Sequence, residues 1–547
     1  MAGRHSSLSH DAPSAAALTL EAAAVARCGD HAAAEELYRQ AIRINPHLAG
    51  AWLGLGLEYM DRRELDEGYR YLVRALADAE KTVREFPADR PSYVARCMAS
   101  GVLYRPAEAV ESARCALQLG PDRKIYSNML FMMNFLPETT PEQLHEETCR
   151  WSAIYAPPPA EPPRPHTNLP DPGRRLKIGY VSPDLYDHAI MRFLPPVFEH
   201  HDRSQFSVNV YHVGEITDDC TAQLRKLVEN FVHCPESGEA LEERVRADEI
   251  DILVDLAGHT MPLDHFVVFT RKPAPIQVSW LGLLSTTGLP AIDYYLGDPE
   301  MPCPGAEHCF SEAVYRLPRA AACYRPPVDV PVAPSPSLKN GYITFGSFNN
   351  PAKIGREVVK VWAEIMRQVP GSRILLKYRT METEVMRDRY QGWFRKEGIA
   401  RERVQLVGPS KPTEYLESYG LIDIALDPFP YQGGSTTLDT LLMGLPMVAL
   451  AGRLTVQRGT SSILKSMGLA DMVTQSPEQY VKAAVFLTGI LGKIPDIRHN
   501  IRKAFQASPF MDERGFTRDL EAAYRDMWRI WCRKQAPVNP APAKPPE

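Results

Sequence analysis

Residues 422–439 read Ile422-Asp423-Ile424-Ala425-Leu426-Asp427-Pro428-Phe429-Pro430-Tyr431-Gln432-Gly433-Gly434-Ser435-Thr436-Thr437-Leu438-Asp439. A short apolar run of strand length comes first. A turn with two prolines and two glycines follows, and three hydroxyl residues then open a helix. Glycine lets a backbone approach a ligand closely. A helix starting near Ser435 aims free N–H groups and its positive dipole end out of the strand's carboxyl end. Gly434, Ser435, Thr436 and Thr437 together suit a diphosphate. Asp439, about one turn into the helix, is spaced to hold ribose hydroxyls. The same residues also suit an ordinary strand–turn–helix junction with Ser435 as N-cap.

Lys353 weighs on that choice. It lies in Gly346-Ser347-Phe348-Asn349-Asn350-Pro351-Ala352-Lys353, just past an earlier strand. From there a lysine reaches the same crevice and neutralises charge on a departing nucleoside diphosphate. Asn350 sits beside it. There is no G-x-x-x-x-G-K-[ST] loop, which disfavours an ATPase, and no D-x-D pair to hold a metal against a diphosphate.

Outward from this block the pattern is strand alternating with helix, which predicts parallel sheets with helices on both faces. Strands are expected at 176–181, 206–211, 250–255 and 276–281, and again at 342–346, 372–377, 404–407, 422–426 and 447–450. Helices are expected at 220–232 and 241–248. Ligands of such sheets sit at the carboxyl ends of the strands. His188 follows the first strand and His259 the third, so both are expected to face the crevice. A histidine there is able to take a proton from an attacking hydroxyl. The junction Trp280–Gly288, with Leu284, Ser285 and Thr286, is placed to touch a sugar or merely to turn the chain.

The amino-terminal third differs. Trp52-Leu53-Gly54-Leu55-Gly56-Leu57-Glu58-Tyr59 fits the tetratricopeptide pattern W-x2-L-G-x2-Y, and Gly68, Leu72 and Ala75 continue it. One period of 34 residues earlier stand Ala34, Tyr38 and Ala41, and a looser copy holds Ala109 and Ala116. The expected organisation is helical repeats over 15–155, a proline-rich linker at 156–174, an α/β lobe at 175–325, a hinge at 326–339, a second α/β lobe at 340–515, a closing helix at 516–535 and a disordered tail at 536–547.

At 547 residues the chain exceeds one core. Its net charge of −5 leaves no basic excess for nucleic acid. Residues 1–16 do not resemble a signal peptide, and the longest apolar stretch, 441–450, is too short to cross a bilayer. Ten cysteines without a C-x-x-C pair read as reduced cytoplasmic thiols. Cys303, His308 and Cys309 lie close in sequence, but no second ligand pair has suitable spacing, and no metal or cofactor is expected.

Taken in order, these blocks resemble the protein O-GlcNAc transferases and their relatives, including Spindly-type O-fucosyltransferases. The most specific are 179–188, 251–260, 271–288, 346–354 and 427–446. The resemblance implies a GT-B fold and an inverting, metal-independent transfer from a nucleotide sugar to Ser or Thr of a protein, which the repeats present. Carried over by position, Lys353 contacts the donor diphosphate, Ser435 and Thr436 donate to phosphate, and Asp439 binds ribose. His188 matches the active-site histidine, as base or as substrate-positioner. The segment 407–415, ending at Tyr415, holds uracil. Three positions depart from the pattern: Gly434 replaces histidine or threonine, Leu284-Ser285 replaces Pro-Gly, and Ala189 follows His188. UDP-GlcNAc is the expected donor; GDP-fucose, UDP-glucose, or a non-catalytic scaffold are the alternatives.

Overall fold

A computed structural model describes residues 13–157, 159, 164–235, 238–260, 265–494 and 496–535. The tail 536–547 and part of the linker lie outside the described residues. The chain divides into two compact units, Met1–Met132 with Thr380–Gly392, and Met133–Arg379 with Trp393–Glu547.

The first unit consists of helical hairpins. Its helices are α1 (Ala15–Arg27), α2 (His31–Ile44), α3 (Ala49–Asp61), α4 (Leu65–Glu85), α5 (Arg90–Val102), α6 (Pro106–Leu119) and most of α7 (Arg123–Met133). Aspartates 30 and 89 cap α2 and α5 by accepting from the N–H groups of Ala33 and Ser92. The small residues of the repeat pattern are where helices touch. A Cβ on Gly54 would lie 2.2 Å from the Tyr38 ring, and one on Gly56 would lie 2.9 Å from Leu72. Unforeseen from sequence, Thr380–Gly392 belongs to this unit. There Glu384 N–H donates to Asp66 (2.9 Å) and Arg389 donates to the Leu103 carbonyl (2.7 Å).

The second unit includes helix α8 (Pro141–Tyr155), which the expected boundary at 155 groups with the repeats. Two parallel sheets follow. The first contains β1 (Leu176–Ser182), β2 (Phe206–His212), β3 (Asn230–His233), β4 (Ile252–Asp255), β5 (Ile276–Ser279), β6 (Tyr294–Gly297) and β7 (Ala313–Arg316), in the order 3-2-1-4-5-6-7. The second contains β8 (Thr344–Ser347), β9 (Arg373–Lys377), β10 (Val404–Val407), β11 (Ile424–Leu426), β12 (Met447–Leu450) and β13 (Val473–Thr474), in the order 10-9-8-11-12-13. Each strand pairs parallel with its neighbours, Leu176 opposite Phe206 in one sheet and Thr344 opposite Arg373 in the other. This is the two-lobed GT-B architecture.

One expectation fails locally: the helix placed at 220–232 ends at Arg225, and its last residues form edge strand β3. The terminal helix Glu513–Gln535 returns to the first lobe, whose core takes up Phe516, Leu520, Tyr524, Met527 and Trp528.

In both sheets the chain order reverses beside the first strand, between β1 and β4 and between β8 and β11. The crevice at such a reversal is where open parallel sheets bind ligands. The loops after those four strands carry His188, His259, Lys353 and the Gly433–Gly434 turn.

Candidate active site

Lys353 ends a 3₁₀ turn, Pro351–Lys353, which Asn350 caps by accepting from the Ala352 N–H (2.9 Å). Asn350 thus shapes the loop that aims the lysine. The Lys353 Nζ donates to the Gln432 carbonyl at 2.8 Å and lies 4.2 Å from the centre of the Tyr431 ring. Gln432 is itself clamped. Its N–H donates to the Val456 carbonyl (3.0 Å), and its side-chain amide to the Leu450 carbonyl (2.8 Å) and Ser461 hydroxyl (2.9 Å). Burial lowers the Lys353 ammonium from its ordinary value, opposed by the charge of Asp427. Burial raises the Asp427 carboxyl, opposed by bonds from Thr460 and the Gly433 N–H and by Lys353.

The glycine turn behaves as its composition demands at one position only. A Cβ on Gly433 would meet the Thr437 hydroxyl at 2.4 Å and Asp427 Oδ1 at 2.9 Å, whereas one on Gly434 would meet nothing within 4 Å. Helix Ser435–Leu442 begins there, and no side chain caps it. An uncapped start leaves the first-turn N–H groups for an outside acceptor. Ser435 is half-buried at this end. The Thr436 hydroxyl donates to Asn349 (3.0 Å), tying the helix start to the loop after β8. Thr437 requires a correction. It is buried and bonded to the Thr460 hydroxyl (2.7 Å), so it supports the turn from behind rather than facing a ligand.

Asp439 is buried, and its carboxylate already has protein partners. Arg192, from the loop after β1, donates to Oδ1 at 3.1 Å; the Tyr324 hydroxyl bonds to the same oxygen; Tyr415 donates to Oδ2 at 3.2 Å. Tyr415 therefore serves the site through its hydroxyl on Asp439. Burial raises the Asp439 carboxyl, with Arg192 and the two tyrosines opposing. Sequence reasoning does not single out Arg192 and Tyr324; 247 residues separate Arg192 from its carboxylate, and no local pattern marks the pair.

His188 stands exposed at the start of the 3₁₀ turn Ala189–Arg192, with its Nδ1 accepting from the Ile190 N–H (3.4 Å). As held, the neutral ring carries its proton on Nε2. His259 departs from its expected place. It is buried, with its ring edge-on to Trp151 of α8 (4.7 Å) and to Phe266 (5.0 Å), and Nε2 donates to the Thr287 carbonyl (2.9 Å). Burial pushes its pKa down to about 4. It does stand at a strand's end, but it has no access to the crevice, because α8 covers the ring.

Leu284, Ser285 and Thr286 line one pocket with Asn134, Leu144, Phe310 and Leu454. Thr286 is held within it, donating to buried Glu312 (2.7 Å) and accepting from the Ser311 N–H (3.1 Å). Its hydroxyl is structural, which leaves Leu284 as the partly exposed member. Of the cysteine–histidine grouping, the structure brings His308 and Cys309 together with Glu142 rather than Cys303. That carboxylate is paired with Arg453 at 2.6 Å.

The lobes are joined near the site. Arg458 of the second lobe binds Glu300 of the first through both its backbone carbonyl (2.7 Å) and its carboxylate (2.6 Å), and Ser462 donates to Asp298 (2.7 Å).

This arrangement meets its relatives in sequence. The family described as Glycosyl transferase family 41 matches residues 160–321 and 316–520. The chain belongs to glycosyl transferase family 41. The family 41 chain is 35% identical over 433 residues to a tomato (Solanum lycopersicum) protein named probable UDP-N-acetylglucosamine–peptide N-acetylglucosaminyltransferase SPINDLY, covering 77% of this chain and 46% of the relative. The rice (Oryza sativa subsp. japonica) SPINDLY is 35% identical over 440 residues, covering 78% and 47%. The chain thus spans about half the length of the curated relatives it matches. Among solved structures, a point mutant of the Thermobaculum terrenum O-GlcNAc transferase superposes with a TM-score of 0.86 at 33% identity, over 97% of this chain and 100% of that one.

Proposed function

We propose that this family 41 member is an inverting, metal-independent protein O-glycosyltransferase that moves GlcNAc from UDP-GlcNAc to Ser or Thr of protein acceptors. The observation that carries the reading is the convergence of the Lys353 ammonium and the uncapped helix start at Ser435 on the Gln432–Gly434 turn. The names of the SPINDLY relatives and of the Thermobaculum enzyme support the donor and the peptide acceptor.

In the reaction the acceptor hydroxyl attacks the anomeric carbon, and the bond from that carbon to the diphosphate oxygen breaks. The electron pair leaves with UDP, and the hydroxyl proton must be removed. Lys353 and the first-turn N–H groups meet the negative charge as it develops on the leaving group, where preorganised donors matter most. One ammonium and one helix end fit a diphosphate without further help from the chain. Asp439 is positioned for a ribose hydroxyl. Oδ1 takes two donors and Oδ2 one, and a carboxylate offers about four acceptor sites, so one remains open. The Nε2–H of His188 suits orienting a substrate oxygen; acting as base requires the ring to give up its cap on Ile190.

The helical repeats are assigned to acceptor binding, through faces left over after the small-residue contacts are buried. The reaction is placed in the cytoplasm. The ten cysteines, all free thiols, fit that setting. Among the described residues no helix is long and apolar enough to cross a membrane.

Thermal-shift and donor-hydrolysis measurements with UDP-GlcNAc, GDP-fucose and UDP-glucose test the reading. A ligand well above its Kd raises Tm by linkage. UDP-GlcNAc should give the largest shift and turnover. A shift with GDP-fucose alone would replace the donor, and no shift with any at millimolar concentration would leave a non-catalytic scaffold.

A further inference from the structure

Two groups of the site share one four-residue turn. His188 caps the start of Ala189–Arg192, and Arg192 ends it. The turn belongs to the first lobe, but the Arg192 guanidinium crosses to Asp439 of the second lobe (3.1 Å) while lying 3.4 Å from the Tyr324 hydroxyl. The turn is anchored from behind as well. The Arg192 carbonyl accepts from the Arg325 N–H (2.8 Å), and the Arg325 guanidinium pairs with Glu199 (2.8 Å) and Glu513 (2.6 Å). Asp439 is 3% exposed, and Arg192 supplies a countercharge that opposes the cost of burying its carboxyl.

We propose that Arg192 is a positioning residue for glycosyl transfer. It fixes the Asp439 carboxylate for the donor ribose and, through the same short turn, sets His188 against a donor held on the opposite lobe. The inference rests on the functional reading above and adds a residue to it. Arg192 need not touch the reacting atoms. A guanidinium has a rigid fork of donors, and shortening or uncharging it loosens both ends of the strut. The acceptor-side group is then displaced from a donor that stays bound, and misplacements of about 1 Å cost roughly 100-fold in rate.

The test uses the full chain. Arg192→Met and Arg192→Lys are compared with wild type for UDP affinity by calorimetry, for KM and kcat with UDP-GlcNAc and a protein acceptor, and for circular dichroism. In Arg192→Met, kcat should fall about 10- to 100-fold, with donor KM and UDP Kd rising several-fold. Arg192→Lys, which retains the countercharge, should show the same direction with a smaller loss, and it keeps the test readable if the methionine variant does not fold. The decisive step is a double-variant cycle. If Arg192 acts through Asp439 on nucleotide binding, Arg192→Lys combined with Asp439→Asn should weaken UDP binding by no more than about twofold beyond Asp439→Asn alone. Additive losses in that cycle, or an unchanged kcat in both Arg192 variants, overturn the proposal while leaving the enzyme reading intact. If wild type binds no nucleotide sugar, the enzyme reading itself fails and the strut falls with it.

Discussion

The Lys353 ammonium and the Gln432 main-chain carbonyl lie 2.8 Å apart, joining the loop after β8 to the turn after β11 across the reversal point of the second sheet. The Gln432 residue is held from three other directions, so the lysine is aimed by a rigid partner rather than by its own flexible stem. Under the proposed reading, a diphosphate arriving at the uncapped helix would compete for the same ammonium. The lysine then exchanges one oxygen for another with little reorganisation.

Replacing that charge is therefore expected to separate chemistry from folding. Lys353→Met should reduce kcat by about 100- to 1,000-fold, the scale of losing one donor to developing charge. UDP affinity should fall as well, while the fold should persist, since relief from burying the ammonium offsets part of the loss of its bond to Gln432 and of the countercharge to Asp427. Steady-state kinetics and calorimetry against UDP check this. Undiminished turnover would remove Lys353 from the mechanism.

The two glycines give a contrasting pair. Gly433→Ala places a methyl group 2.4 Å from the Thr437 hydroxyl and should cost about 1–3 kcal/mol in stability, with nucleotide binding lost as the turn shifts. Gly434→Ala has open space around the added methyl group, so its Tm should fall less than that of Gly433→Ala. Thermal melts of the two variants, run together, decide the point. Equal destabilisation would mean the turn is not packed as described.

Nucleotide binding should depend on pH through Lys353. Burial lowers its pKa below the ordinary 10.5 in the free protein, and a bound diphosphate favours the protonated form and raises it again. Binding then takes up a proton in the window between the lowered value and the restored one. UDP affinity should accordingly fall as pH rises through that window, by up to about tenfold per pH unit. Calorimetry between about pH 6.5 and 9.5, in buffers of different ionisation enthalpy, measures both the slope and the proton. The Lys353→Met variant should show neither.

The strands and the site loops were legible because short β-branched runs bounded by turn residues repeat twice, and strand ends carry the chemistry of this architecture. Lys353 and the Gly433 turn follow from that rule alone. What escaped was whatever depends on the far side of the fold. The edge strand Asn230–His233 reads as the end of a helix until β2 pairs with it, Asn209 opposite Asn230. Helix α8 follows the repeat helices directly in sequence, but its Trp151 is buried against His259 of the first lobe. Arg192 stands in an ordinary turn, and only folding brings it to Asp439. Thr437 follows Ser435 and Thr436 in an unbroken run of hydroxyls, yet helical geometry directs its own hydroxyl inward to Thr460.

For His188, turnover should suffer more than binding. The ring stands on the first lobe, whereas the proposed diphosphate donors, Lys353 and the Ser435 helix start, stand on the second, so His188→Ala should lower kcat about 10²- to 10⁴-fold if it moves a proton, and less if it only orients the acceptor. UDP Kd should change little in either case. Comparing kcat with Kd for that variant distinguishes the roles, and equal losses in both would make His188 a binding group.

His259 should behave oppositely, although it stands at the equivalent strand end. Its ring is enclosed by Trp151 and Phe266, its Nε2 is committed to the Thr287 carbonyl, and burial holds its pKa at about 4. A group so low stays neutral across the working pH range and contributes no limb to a pH–rate profile near neutrality. His259→Ala opens a cavity between α8 and the loop 285–288 and leaves that carbonyl unpaired. A loss of about 2–4 kcal/mol in stability is expected. Activity measured well below the variant's Tm should retain the wild-type pH profile, with any loss of rate arising from displacement of Leu284 and its neighbours. A lost pH limb in His259→Ala, at unchanged stability, would return His259 to the chemistry and contradict its buried placement.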